Sequence, residues 1–89
     1  LIRVPIPELS EERRKDMVKI ASRTTEDQRV TVRNIRRDAN DQIKNLEKQN
    51  ELTEDDRKQS LDEIQKITNE IISKMDNLLT SKEKEIMEV

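Results

Sequence analysis

The residues best suited to chemistry lie close together, in Arg29-Val-Thr-Val-Arg-Asn-Ile-Arg-Arg-Asp-Ala-Asn40. Four arginines fall in nine residues, and Arg29, Arg33 and Arg36 follow the i, i+4, i+7 repeat that puts side chains on one face of an α-helix. A guanidinium is a planar, permanently charged fork of donors that matches the oxygens of a phosphate, so this face reads as a platform for a polyanion. Lys15, Lys19, Lys44, Lys48 and Asn40 fall in the same arc, interrupted by Glu11, Glu12, Glu26 and Glu47. No aromatic ring exists on which a base could stack, so contacts to nucleic acid would run to backbone and grooves. The competing reading is a solvated face laced with intrahelical ion pairs, such as Asp41 with Arg37. Arg rather than Lys at every central position favours the phosphate platform.

Other chemistries find little support. The chain has neither His nor Cys, which removes the commonest general base, the commonest metal ligand and any thiolate. Glu54-Asp55-Asp56 and Asp62-Glu63 could suggest a cation site, but no EF-hand glycine or ligand spacing accompanies them. After Thr53 they read more simply as the charged first turn of a helix. Surface acids without a pocket do not argue for general acid–base work, and Met17 and Met75 read as core filling. Neither enzyme, cofactor nor metal site is expected.

The elements that must position the arginines follow from composition and period. Of 89 residues, 30% are hydrophobic and 43% charged; Gly is absent, and Pro occurs only at Pro5 and Pro7. Nothing after residue 7 is a strong helix breaker, so an all-α domain over residues 10–89 is expected. Ser10 reads as an N-cap with Glu11 and Glu12 in the first turn. An apolar stripe runs from Met17 through Ile20 and Ala21, weakens at Thr24, Thr25 and Gln28, and resumes at Val32, Ile35, Ala39, Ile43 and Leu46. The last five cluster in an arc about 80° wide, bordered by Arg36, with Arg33, Arg29 and Arg37 stepping outward. One helix over about 10–49 is expected, roughly 60 Å long.

The pattern breaks between Gln49 and Thr53, where Thr53-Glu-Asp-Asp56 resembles a capping box with Asp in the place of Glu. A second helix, about 54–87, carries Leu61, Ile64, Ile67, Ile71, Met75, Leu78 and Ile86, with Ile72 and Leu79 widening the stripe. The pair makes a long antiparallel hairpin. Its apolar arcs are too broad for two helices, which favours a three-helix bundle whose first helix is missing from this chain, over a dimer of hairpins. Residues 1–9 alternate apolar Ile2, Val4 and Ile6, with Pro5 and Pro7 forcing extended backbone. They read as a strand end or stiff hinge leaving an upstream domain. Charge divides unevenly: residues 10–49 carry 11 Lys+Arg against 8 Asp+Glu, and residues 51–89 carry 6 against 11. A polyanionic partner therefore fits the first helix better than the net charge of −2 suggests. The longest apolar runs, two or three residues, cannot span a bilayer.

Three stretches carry a resemblance: Ile2-Arg-Val-Pro-Ile-Pro-Glu-Leu-Ser-Glu-Glu-Arg-Arg-Lys-Asp16, Val32-Arg-Asn-Ile-Arg-Arg-Asp-Ala-Asn-Asp41, and Lys82-Glu-Lys-Glu-Ile-Met-Glu-Val89. Together they resemble the C-terminal half of the ribosome recycling factors, over essentially the whole chain. That resemblance implies a protein with a long three-helix bundle and a small α/β domain inserted after the first helix. It implies the return from the small domain in residues 1–8, with a hinge at Pro5 and Pro7, and the second and third bundle helices in residues 10–89. The implied function is a non-enzymatic translation factor that, with elongation factor G, splits post-termination ribosomes into subunits. The implied RNA contacts, to the large ribosomal subunit, are Arg29, Arg33, Arg36 and Arg37, with Arg33 and Arg36 foremost; Asn40, from its place in the same arc, is expected to join them. The setting would be the bacterial cytoplasm, or alternatively an organelle matrix or stroma. Thr24, Thr25 and Thr31 depart from residues often Ala or Glu in that family, so the middle of the first helix is expected to be less intrinsically helical. A structural hairpin that pairs with another protein's helices is the alternative reading.

Overall fold

The computed structural model describes residues 10–88; the expected hinge at Pro5 and Pro7, and the extended segment 1–9, lie outside the described residues. Two helices fill that span, α1 (Glu11–Lys48) and α2 (Glu54–Met87). Both begin where the sequence places a cap. Ser10 accepts from the Arg13 amide at 3.1 Å, which satisfies one of the amides that a helix start leaves without a partner. At the second start, Thr53 accepts from the Asp56 amide at 3.1 Å, and Asp56 accepts from the Thr53 amide at 3.4 Å. Asp thus closes the box despite being one methylene shorter than Glu.

The end of α1 is built on Asn50. Its φ of 59° lies in the left-handed region, which Asn tolerates better than most residues and which this glycine-free chain must enter without Gly. With Asn50 so placed, its amide donates to the Glu47 carbonyl and the Glu51 amide to the Leu46 carbonyl, both at 2.9 Å. These are the two bonds of a Schellman closure, and they turn the chain into the short link to α2.

Folded back on itself, the hairpin measures 75 × 21 × 15 Å with a radius of gyration of 21.1 Å, against about 12 Å for a compact chain of this length. The helix–helix seam differs in phase from the apolar arc expected from the sequence. On α1 the half-buried positions include Val18, Ala21, Thr25, Arg29, Val32, Arg36, Ala39, Ile43 and Leu46; on α2 they include Leu61, Ile64, Ile72, Met75, Leu79 and Ile86. Thr68, 5% exposed, is the one buried residue among those described. Ile35, at 62%, Ile67, Ile71 and Leu78 are exposed, although the sequence reading put them in the main stripe. Ile72 and Leu79, read there as widening residues, belong to the seam instead. The physical reason is arc width. An apolar stripe broader than one helix contact can use is split, one part facing the partner helix and the other facing outward.

Small and hydroxylic residues occupy the seam where the stripe was expected to weaken. Thr25 donates to the Ala21 carbonyl and Thr68 to the Ile64 carbonyl, each at 2.8 Å, so the hydroxyls are satisfied within their own helices. Thr31 likewise donates to the Asp27 carbonyl at 3.1 Å. α1 therefore runs unbroken through its threonines, and the expected weakness leaves no interruption.

Candidate nucleic-acid interface

The arginines of α1 divide into three environments. Arg29 points into the seam: its Nε donates to Asp76 Oδ1 of α2 at 2.8 Å, and its Nη2 donates to the same oxygen. Nη1 donates to Glu26 Oε2 at 2.7 Å. The bonds to Asp76 first, and then to Glu26, hold its guanidinium above the ordinary arginine range, so it remains charged. Its side chain is 19% exposed, against 41% for Arg33. Arg33 is looser, with Nη1 3.9 Å from the other Glu26 oxygen, Oε1.

Arg36 occupies the second environment. Half-buried, it lies along a groove of about 200 Å³ between the helices, beside Ile35, Ile64, Ile67, Thr68 and Ile71. No hydrogen bond or ion pair among the described residues claims its guanidinium. An apolar stem with an unclaimed charged head is how an arginine sits when its head is available to something else.

Arg37 and Asn40 make the third. Arg37 is exposed, with Nη1 3.5 Å from Asn34 Oδ1, a long and weak bond. The pair expected with Asp41 does not appear among the described ion pairs. Its order, cation before acid at i, i+4, is the less favourable one, whereas Glu11–Lys15 at 3.5 Å and Glu54–Lys58 at 3.3 Å have the better order and do form. Asn40 is half-buried, and its Oδ1 is enclosed without a hydrogen-bond partner among the described residues. At 100° per residue, Arg33, Arg37 and Asn40 stand roughly 140–160° around α1 from Ile35. Arg33, Arg37 and Asn40 and the open apolar face are thus opposite flanks of one helix, with Arg36 between them in the groove beside Ile35.

Two residues that sequence reasoning passed over, Asp76 and Arg57, shape this edge together with Glu26, which it read only as an interruption of the basic arc. Asp76 and Glu26 take up Arg29, and Arg57 reaches from α2 to Glu47, with Nε 2.8 Å from Oε2. That last contact is an ion pair more than a hydrogen bond, since the N–H is not directed at the oxygen. The signal for Asp76 was present. A hairpin folded about residues 52–53 brings position 29 opposite roughly 75–77, and an acid, Asp76, stands there.

Among the described residues no group of acids is arranged to hold a metal ion, and no helix is long and apolar enough to cross a membrane. The model of the ribosome recycling factor family matches residues 1–87. The chain belongs to that family. It is 56% identical over its full length to a ribosome-recycling factor of Oleidesulfovibrio alaskensis, 54% to one of Symbiobacterium thermophilum and 52% to one of Bacillus subtilis. In each case all 89 residues align with 48% of the relative, so the chain spans about half the length of the curated relatives it matches.

Proposed function

We propose that the basic flank of α1 binds ribosomal RNA of the large subunit and that the protein, acting with elongation factor G, splits post-termination ribosomes into subunits for recycling. The observation that carries this reading is Arg36, a half-buried arginine with an unclaimed head, one turn from the lightly held Arg33. Arg33 and Arg36 take phosphates directly, and Arg37 and Asn40 extend the contact along the backbone. A phosphate backbone needs charge and fork geometry rather than aromatic platforms, and this flank supplies both. No covalent step is assigned to the chain, and nucleotide energy comes from the partner factor. The site of action is the cytoplasm, where ribosomes finish translation, or an organelle if the source is one.

In this reading the open apolar flank receives another helix of a three-helix bundle, and residues 1–9 connect to a small α/β domain through Pro5 and Pro7. Replacing both prolines by Gly should broaden the interdomain distances measured by paired spin labels in the intact protein; an unchanged distribution moves the hinge elsewhere. The RNA contact is tested by binding Arg33→Ala and Arg36→Ala variants of the intact protein to large subunits across a salt series. Each lost phosphate contact should weaken binding and flatten the slope of log affinity against log salt by about 0.7 to 0.9. Parental affinity and slope in folded variants would leave the chain as a structural hairpin that docks other helices through Ile35, Ile67 and Ile71.

A further inference from the structure

Arg29 shares the helix face of Arg33 and Arg36, yet its surroundings give it a different task. Nε and Nη2 are committed to Asp76 Oδ1 and Nη1 to Glu26 Oε2, so each of its nitrogens already has a carboxylate. For this fork to take a phosphate it would have to release Asp76 and Glu26, leaving two carboxylates facing the incoming anion. Glu26 has a second role, because its other oxygen lies 3.9 Å from Arg33 Nη1. An unbroken chain of charge therefore runs from α2 to the exposed edge: Asp76, Arg29, Glu26, Arg33.

A second crossing pair, Glu47 with Arg57, ties the helices near the turn. The two ties bracket the stretch of α1 that bears Arg33, Arg36, Arg37 and Asn40. Apolar contact alone is non-directional and tolerates small slides between helices, whereas a fork on a carboxylate fixes one register.

Resting on the RNA-binding reading above, we propose that Arg29 is a positioning residue: clasped by Asp76, it fixes the register of α1 on α2 and, through Glu26, aims Arg33, while making no phosphate contact of its own. Arg29 is thereby distinguished from the other arginines of the cluster. Loss of the clasp should weaken RNA binding without changing the number of phosphates held.

The test uses the intact protein and purified large subunits, with circular dichroism as the folding control. Arg29→Gln and Asp76→Asn should each lower affinity about fivefold while the salt slope stays parental, since a lost phosphate contact would flatten it by about 0.7 to 0.9. In an Arg33→Ala background, Arg29→Gln should cost less than about twofold more, because residues that act through one another are not additive. The exchange Arg29→Asp with Asp76→Arg restores the clasp in reverse and should recover affinity to within about twofold of the parent. A flattened slope for Arg29→Gln with no recovery in the exchange would make Arg29 a phosphate ligand and overturn the proposal. So would parental affinity in folded Arg29→Gln, or full additivity with Arg33→Ala, either of which would reduce the clasp to a stability element. If Arg33→Ala and Arg36→Ala themselves leave the slope unchanged, the RNA-binding reading fails, and this inference falls with it for that separate reason. Should Arg29→Gln not fold, Asp76→Asn and the exchange still decide.

Discussion

On one flank of the seam Ile35 and Leu78 stand open to solvent, more than three-fifths exposed; on the other, Arg29 joins α1 to α2 through Asp76, with Glu26 beside it on α1, while the unclaimed Arg36 lies between the flanks, in the groove it shares with Ile35. The two flanks belong to the same pair of helices but are completed differently. An open isoleucine forgoes about 1.5–3 kcal/mol that full burial would contribute, so the apolar flank is where the hairpin gains most from a partner. Exposed charges lose little by staying in water, and their pairs contribute modestly, so the basic flank is left as it is for other reasons than stability. A groove of about 350 Å³ along Thr24, Gln28, Met75 and Leu78 continues the apolar flank toward the open end of the hairpin. The open apolar residues and the exposed Arg37 thus lie on opposite sides of α1.

The largest expected effect lies between the flanks. Thr68 is the only buried residue described, and Thr68→Arg forces a long charged side chain into the best-covered position of the seam. It should destabilise the hairpin by about 3 kcal/mol, read as a fall in the thermal midpoint. A change within 0.5 kcal/mol would mean that the helices separate at no cost, and the comparison of flanks would lose its common frame. Next comes the apolar flank itself. The isolated chain should self-associate through its open isoleucines, and Ile35→Ser with Leu78→Ser should make it monomeric by sedimentation while preserving helicity. A parent chain that is monomeric, with a sharp melting transition independent of concentration, would show that this flank requires no cover.

Smaller effects test the ends. Thr53→Ala removes one half of the capping box and should cost about 1 kcal/mol in thermal unfolding. Asn50→Val, which places a β-branched residue at a φ of 59°, should cost a similar amount, about 1–2 kcal/mol. The smallest effect should be that of Arg37→Ala on folding, below about 0.5 kcal/mol, because its one described bond is long and exposed. Loss of stability on the scale of the caps would place Arg37 among the structural residues of the hairpin.

Capping signals made the helix limits legible in the sequence. Ser10 and Thr53 stand where they cap, and α2 starts at Glu54 as the capping box implies. The Asn50 turn was partly legible, since in a chain without Gly an Asn between two helices is the natural left-handed residue. Phase was not. A stripe containing Ile35, Ile67 and Leu78 gives no sign of which part meets α2, because apolar residues are alike to a hydropathy count and only the mutual approach of the helices selects among them. The same approach places Thr68, a residue with no hydrophobic signal, at the best-covered position. At the candidate site, the arginine cluster and its face could be read directly, whereas the separate state of Arg29 depended on Asp76, 47 positions away along the chain.

The central claim is that the basic flank of α1, and not the apolar one, carries contact with RNA. Its most direct test is the salt dependence of large-subunit binding for the intact protein bearing Arg33→Ala with Arg36→Ala, beside the parent, Arg36→Lys and Ile35→Ser. The double variant should lose affinity and flatten the slope by about 1.4 to 1.8, two phosphates' worth. Arg36→Lys should recover part of the loss seen in Arg36→Ala, keeping the charge without the bidentate fork, and a folded Ile35→Ser should keep the parental slope. A double variant that binds with parental affinity and slope would contradict the account.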